Sequence, residues 1–146
     1  MLITITIINT LIIIAVVIVH YEGLLQLSLL LPKLKIKYRF RVAVGLMGAL
    51  LAHIIEVWIF GISYYLLINK ASFGHLEGIS GESLLSCVYF SFVSYTSLGY
   101  GDQVPVGLIR YTAGLEALTG LVLIAMTASF MYFQIEKFWS ELKFNK

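Results

Sequence analysis

Apolar positions fall along this chain in long blocks, not in the stripes three or four residues apart that mark a helix with one wet face. The first block extends from Leu2 to about Leu31, interrupted chiefly by Asn9, His20, Glu22 and Gln26. The second runs from about Val42 to Ile68 and the third from about Leu108 to Tyr132. About 20 apolar residues at ~1.5 Å each cross the hydrocarbon core of a bilayer, so the pattern predicts three transmembrane helices. A cleaved signal peptide competes for the first block. It would need a basic stretch ahead of the apolar run and a small-residue cleavage site behind it, and the sequence has neither.

A fourth apolar stretch is too short to span. Between the second and third blocks the chain divides into a polar stretch (Asn69 to Glu82), an apolar stretch (Ser83 to Tyr95) and a glycine-rich turn (Ser97 to Asp102). About 13 residues make a helix of about 20 Å, enough to enter a membrane and stop partway. Glu82, at its expected start, suits the positive end of the helix dipole. Backbone that leaves helical geometry at membrane depth is tolerated only inside protein or beside water, so the turn after this half-helix is expected to line a cavity.

Composition agrees with lipid as the solvent. The 146 residues are 60% hydrophobic and only 12% charged, and mean hydropathy is +0.93; too little polar surface is available to cover a soluble globule. A net charge of +2 gives no basis for nucleic-acid binding. Pro32 is expected to break the first helix and open a basic connector with Lys33, Lys35, Lys37, Arg39 and Arg41. Such a loop is expected on the cytoplasmic side, which puts the N-terminus and the 69–107 segment outside. Lys137, Lys143 and Lys146 then mark a cytoplasmic C-terminus, and Tyr132, Phe133, Phe138 and Trp139 suit an aromatic belt or packing. A plasma or bacterial inner membrane is the expected location. Cys87 reads as a small buried apolar residue. His20, His53 and His75 look scattered, and no nucleophile with a base or metal-ligand spacing suggests an enzyme.

The stretch Thr96-Ser97-Leu98-Gly99-Tyr100-Gly101-Asp102 resembles the filter of the pore-loop potassium channels, which usually reads T-V-G-Y-G-D. Ser97 takes the hydroxyl position and Leu98 the branched aliphatic one, while Gly99, Tyr100, Gly101 and Asp102 match the pattern outright. Tyr89-Phe90-Ser91-Phe92 resembles the family's pore helix, and Pro105 with Arg110 the return into its inner helix. The resemblance covers about Ser83 to Phe130. It implies a homotetramer in which residues 97–101 of each chain offer backbone carbonyls to dehydrated K+ ions, with Thr96 and Asp102 as supports. It also implies that Tyr100 packs behind the filter against the re-entrant helix. Glycine permits the dihedrals that turn successive carbonyls one way. Serine and leucine in place of threonine and valine imply looser packing behind the inner end of the filter.

The expected organisation is therefore all-α and membrane-integral, a tetrameric pore of subunits with three spans and one pore helix each. Residues 1–31 form an extra N-terminal helix outside the resemblance, 32–41 the connector and 133–146 a short tail. Residues 42–132 form the pore domain: outer helix 42–68, pore helix 83–95, filter 97–101 and inner helix 108–132. Gly120 lies near the family's hinge glycine, and with Gly114 serves equally as a packing glycine. Ala125, Thr127, Ala128 and Ser129 fit a cavity wall or tight packing. His53 and Glu56, three residues apart on one helix face, are either a structural polar contact or a protonation-sensitive pair. Glu116 either braces the filter from behind or adds negative potential to a cavity. No organic cofactor or small-molecule substrate is evident, and no helix carries the spaced arginines of a voltage sensor. A non-selective cation channel and a non-conducting subunit of another channel or transporter are the alternatives.

Overall fold

The computed structural model describes residues 1–78 and 83–144. Glu82 and Lys146 lie outside the described residues, as do the side chains of Phe138 and Lys143. In chain order the elements are α1 (Leu2–Leu30), a 3-10 turn (Leu31–Lys33), α2 (Tyr38–Asn69), β1 (Gly74–Gly78), α3 (Leu84–Tyr95), β2 (Gln103–Gly107) and α4 (Ile109–Phe144). Three of the helices are long and apolar enough to cross a membrane.

These helices are built inside out relative to a water-soluble bundle. Ile3, Ile7, Leu11 and Ile18 of α1 stand exposed, as do Met47, Leu51, Leu121 and Val122 on α2 and α4. A surface of this kind is suited to lipid or to contact with other chains, not to water. The buried stripe of α1 is Ile5, Asn9, Val16, His20 and Leu24, positions that share one helical face and include two polar residues.

Close approach of α1 to α2 depends on small residues. Gly45, Ala49 and Ala52 are buried on α2, and a Cβ placed at Gly48 would stand 2.4 Å from Leu27 Cδ2 of α1. Without a hydrophobic drive between helices in lipid, this kind of backbone proximity is what van der Waals association uses. Farther along α2, the buried run Val57, Phe60, Tyr64 and Leu67 turns toward α3, where Tyr64 meets Phe90 edge to face with centroids 5.1 Å apart.

The half-length helix α3 starts at Ser83, whose hydroxyl accepts from Ser86 N at 3.2 Å. Its 12 residues span about 18 Å and stop partway along its neighbours.

Among the described residues the non-helical element, not anticipated from the sequence, is a two-stranded antiparallel ribbon pairing Gly74–Gly78 with Gln103–Gly107. It straps the segment before α3 to the segment after the loop. A Cβ at Gly74 would lie 2.0 Å from Val106 O, and one at Gly78 2.2 Å from Asp102 O. Glycine is what lets these two backbones meet.

Gly61 packs against α3 closely enough to test. A Cβ there would meet Val88 Cγ2 at 2.6 Å and Val88 Cα, a backbone atom, at 2.8 Å. Gly61→Ala is expected to destabilise the protein by about 1–3 kcal/mol through overpacking, read as a lower thermal midpoint in detergent. Gly23→Ala, whose Cβ would find Ala52 Cβ at an ordinary 3.5 Å, is expected to leave the midpoint unchanged or raise it.

Candidate functional site

The C-terminal turn of α3 runs directly into the loop of interest. Thr96 Oγ1 donates back to Phe92 O at 2.7 Å. Ser97 N then reaches Ser94 O at 2.9 Å, while Leu98 N and Gly99 N both point at Val93 O, at 3.0 and 3.4 Å. The loop is thereby hung from helix carbonyls that would otherwise lack partners.

Its backbone alternates. Ser97 (φ 55°), Gly99 (φ 59°) and Gly101 (φ 79°) have left-handed dihedrals, and Leu98 and Tyr100 between them do not. Alternation in the sign of φ from residue to residue sets this loop apart from a β-strand, in which every φ is negative. Nothing lies within 4 Å of a Cβ placed at Gly99 or Gly101, so within the chain their requirement for glycine is conformational, not a clash. Ser97 has no such freedom and sits in a region that a side chain disfavours by about 1–2 kcal/mol.

Beyond the loop, Asp102 Oδ2 accepts from Tyr89 OH at 2.7 Å, and Gln103 Nε2 donates to Ser86 Oγ at 2.5 Å. Both bonds return the chain to the first turns of α3. Leu98 and Tyr100 remain 57% and 67% exposed, so the chain alone does not place Tyr100 as a strut against its own α3.

Behind α3 lies a buried polar centre. Glu116, fully buried on α4, accepts from Tyr64 OH of α2 at 2.6 Å and from Ser91 Oγ of α3 at 2.5 Å. Ser91 Oγ also lies 2.9 Å from Val57 O. Three helices thus share one carboxyl group, at the back of the helix that presents the loop. Gly120, one turn on, is buried, and a Cβ there would lie 2.1 Å from Tyr95 O. That gives this glycine a packing reason. Gly114, by contrast, faces open space. Ala125, Ala128 and Ser129 are exposed within the chain, and Thr127 takes part in the next cluster.

A second polar cluster joins α1, α2, α3 and α4. His20 Nδ1 is 2.8 Å from Glu56 Oε1, and His53 Nδ1 is 3.2 Å from Glu56 Oε2. Tyr95 OH donates to Glu56, and Thr127 Oγ1 is 2.9 Å from His53 Nε2. The expectation that the histidines are scattered is overturned for two of them: the rings of His20 and His53 are 5.1 Å apart. Their separation in sequence concealed this. The available signal was the polar pair Asn9 and His20 on one face of a mostly apolar helix. Asn9 itself bonds Thr112 of α4, 2.9 Å away. His75 stands apart, exposed on β1.

Three apolar spans around a half-length helix, followed by a loop of alternating hand, define an integral membrane protein of the pore-loop class. A family model described as "Ion channel" matches residues 52–137, more than half of the chain. The chain belongs to this family, that of the pore-loop potassium channels. It is also similar to the voltage-gated potassium channel regulatory subunit KCNG3 of Mus musculus, Rattus norvegicus and Homo sapiens. Each is 32% identical over 64 residues, covering 43% of this chain. The chain spans 15% of the length of these relatives.

Tyr64→Phe removes one of two side-chain donors from a carboxyl group with no access to water. It is expected to destabilise the protein by about 1–3 kcal/mol. Tyr89→Phe, at a site where water can replace the lost partner, is expected to have an effect below about 1 kcal/mol. Thermal or denaturant unfolding of the two variants in the same detergent checks the order.

Proposed function

We propose that four copies of this chain surround an axis and conduct K+ selectively, with the carbonyls of Ser97, Leu98, Gly99, Tyr100 and Gly101 forming successive rings that replace the ion's hydration shell. The observation that carries this reading is the alternating backbone of residues 97–101, suspended at the end of a helix that stops partway. One chain supplies a quarter of each ring, so selective conduction requires the assembly.

Thr96 and Asp102 hold the two ends of the filter, the latter through Tyr89. Tyr100 and Leu98, exposed within the chain, would pack against a neighbouring subunit, which supports assembly. The C-terminal end of α3 adds the negative end of its dipole beneath the filter, favourable for a cation. Glu116 acts as a brace from behind, and Gly120 keeps α4 close to Tyr95. K+ is cargo in this scheme, moving down its electrochemical gradient without chemistry. The basic connector 32–41 and the α4 exit lie on the cytoplasmic side, with β1, β2 and the filter mouth outside. The pore unit is residues 42–132, with 1–31 as an extra helix and 133–146 as a short tail.

KCNG3 is named a regulatory subunit, so co-assembly with a different chain is the specific competitor to a homotetramer. Reconstitution of purified protein alone separates the two. Potassium-loaded liposomes holding only this chain are expected to release K+ in a barium-sensitive manner. The Gly99→Ala variant is expected to lose at least about tenfold of that flux, because a Cβ opposes the left-handed dihedral. Absence of flux from a well-folded, membrane-inserted preparation would remove the homotetramer reading. With K+ on one side and Na+ on the other, a reversal potential near zero would replace selective with non-selective conduction.

A further inference from the structure

We propose that His20, His53 and Glu56 bind one divalent transition-metal ion of the zinc class, held between α1 and α2 beside the C-terminal end of α3. The candidate ligand atoms of these residues lie within 4.8 Å of one another. Two imidazole nitrogens and one carboxylate form a donor set suited to Zn2+ and its borderline neighbours, unlike the all-oxygen sets of Mg2+ or Ca2+.

The orientation of both rings supports the assignment. Each histidine turns Nδ1 toward Glu56, at 2.8 Å for His20 and 3.2 Å for His53. Each turns its other nitrogen to one oxygen: Thr127 Oγ1 lies 2.9 Å from His53 Nε2 and 3.4 Å from His20 Nε2. With a metal on both Nδ1 atoms, both Nε2–H groups donate to the two lone pairs of that hydroxyl. This is the outer-shell oxygen partner that metal-bound histidines ordinarily have. Zinc–nitrogen bonds of about 2.0–2.1 Å in a tetrahedron put neighbouring donors about 3.3 Å apart, and here the two imidazoles sit 2.8 and 3.2 Å from the two oxygens of one carboxylate.

Burial and access fit as well. Glu56 and the His20 side chain are fully buried. A carboxylate in a low-dielectric interior is strongly disfavoured unless a positive charge or several donors attend it, and a divalent ion supplies the charge. Tyr95, whose hydroxyl lies 2.9 Å from His53 Nδ1 and bonds Glu56, is within reach as a fourth donor. An entry path exists at His53, whose side chain is 15% exposed and lines a cavity of about 560 Å3 with Leu50, Tyr95 and Thr127. His20 lies outside the residues 52–137 that match the channel family, so the site is completed by this chain's extra helix and does not rest on the conduction scheme. Its consequence is a staple from α1 to Tyr95, the last residue of α3.

The test is metal retention by the purified full chain in detergent. After chelator treatment, loading with Zn2+ and desalting, elemental analysis is expected to find about one ion per chain. Loading with Co2+ is expected to give the intense visible absorption of a four-coordinate N/O site, a readout that needs no variant. Zn2+ is expected to raise the thermal midpoint of the wild type. His20→Ala and Glu56→Gln are expected to lose retention at least about tenfold while staying monodisperse, and His75→Ala is expected to keep it. Wild-type protein that retains no metal, or a His20→Ala variant that retains as much as wild type, overturns the proposal. So does a thermal midpoint that follows pH through this cluster with no metal retained, which would make it a proton-only network.

Discussion

A backbone that leaves helical geometry gives up its ladder of hydrogen bonds, and the contacts around residues 96–102 are the ones that make up for that loss. Val93 O takes two loop N–H groups, Tyr89 holds Asp102, and the β1–β2 ribbon pairs the segments before α3 and after the loop. With those attachments in place, an extended segment of alternating hand persists without a ladder partner. The three long helices supply the wall against which α3 stops short.

What keeps α3 in position is polar more than apolar. In lipid, apolar contact between helices gives no hydrophobic gain, so hydrogen bonds and close packing carry the association. Glu116 links α2, α3 and α4 through Tyr64 and Ser91, and Glu56 links α1, α2 and α3 through His20 and Tyr95. The two carboxyl groups flank the same short helix. Asn9 with Thr112 attaches α1 to α4 as well, so the extra helix is integrated with the pore unit and not an appendage.

Much of this was legible in the sequence, for reasons of length. Blocks of apolar residues long enough to span announce themselves, and the stretch from Ser83 to Tyr95 announces itself by being too short. The loop was legible because Gly99 and Gly101 bracket a tyrosine directly after that stretch. The ribbon was not, since Gly74–Gly78 has neither β-branched residues nor a two-residue period, and its partner includes Pro105. The His20 contact was hidden for a different reason. A helix apolar on every side gives no stripe from which to read its facing, and only its two buried polar residues mark the face that turns inward. The left-handed Ser97 was hidden because serine, unlike glycine, does not advertise such a dihedral.

The account stands most directly on where the carbonyls of residues 97–101 point when several chains meet. A single-particle reconstruction of the protein in lipid nanodiscs with K+ present answers that. The expected map has four chains around one axis, the five successive carbonyls of each directed at it, and ion density between the rings. Chains without a common axis, or a loop turned outward toward lipid or bulk water, would contradict it.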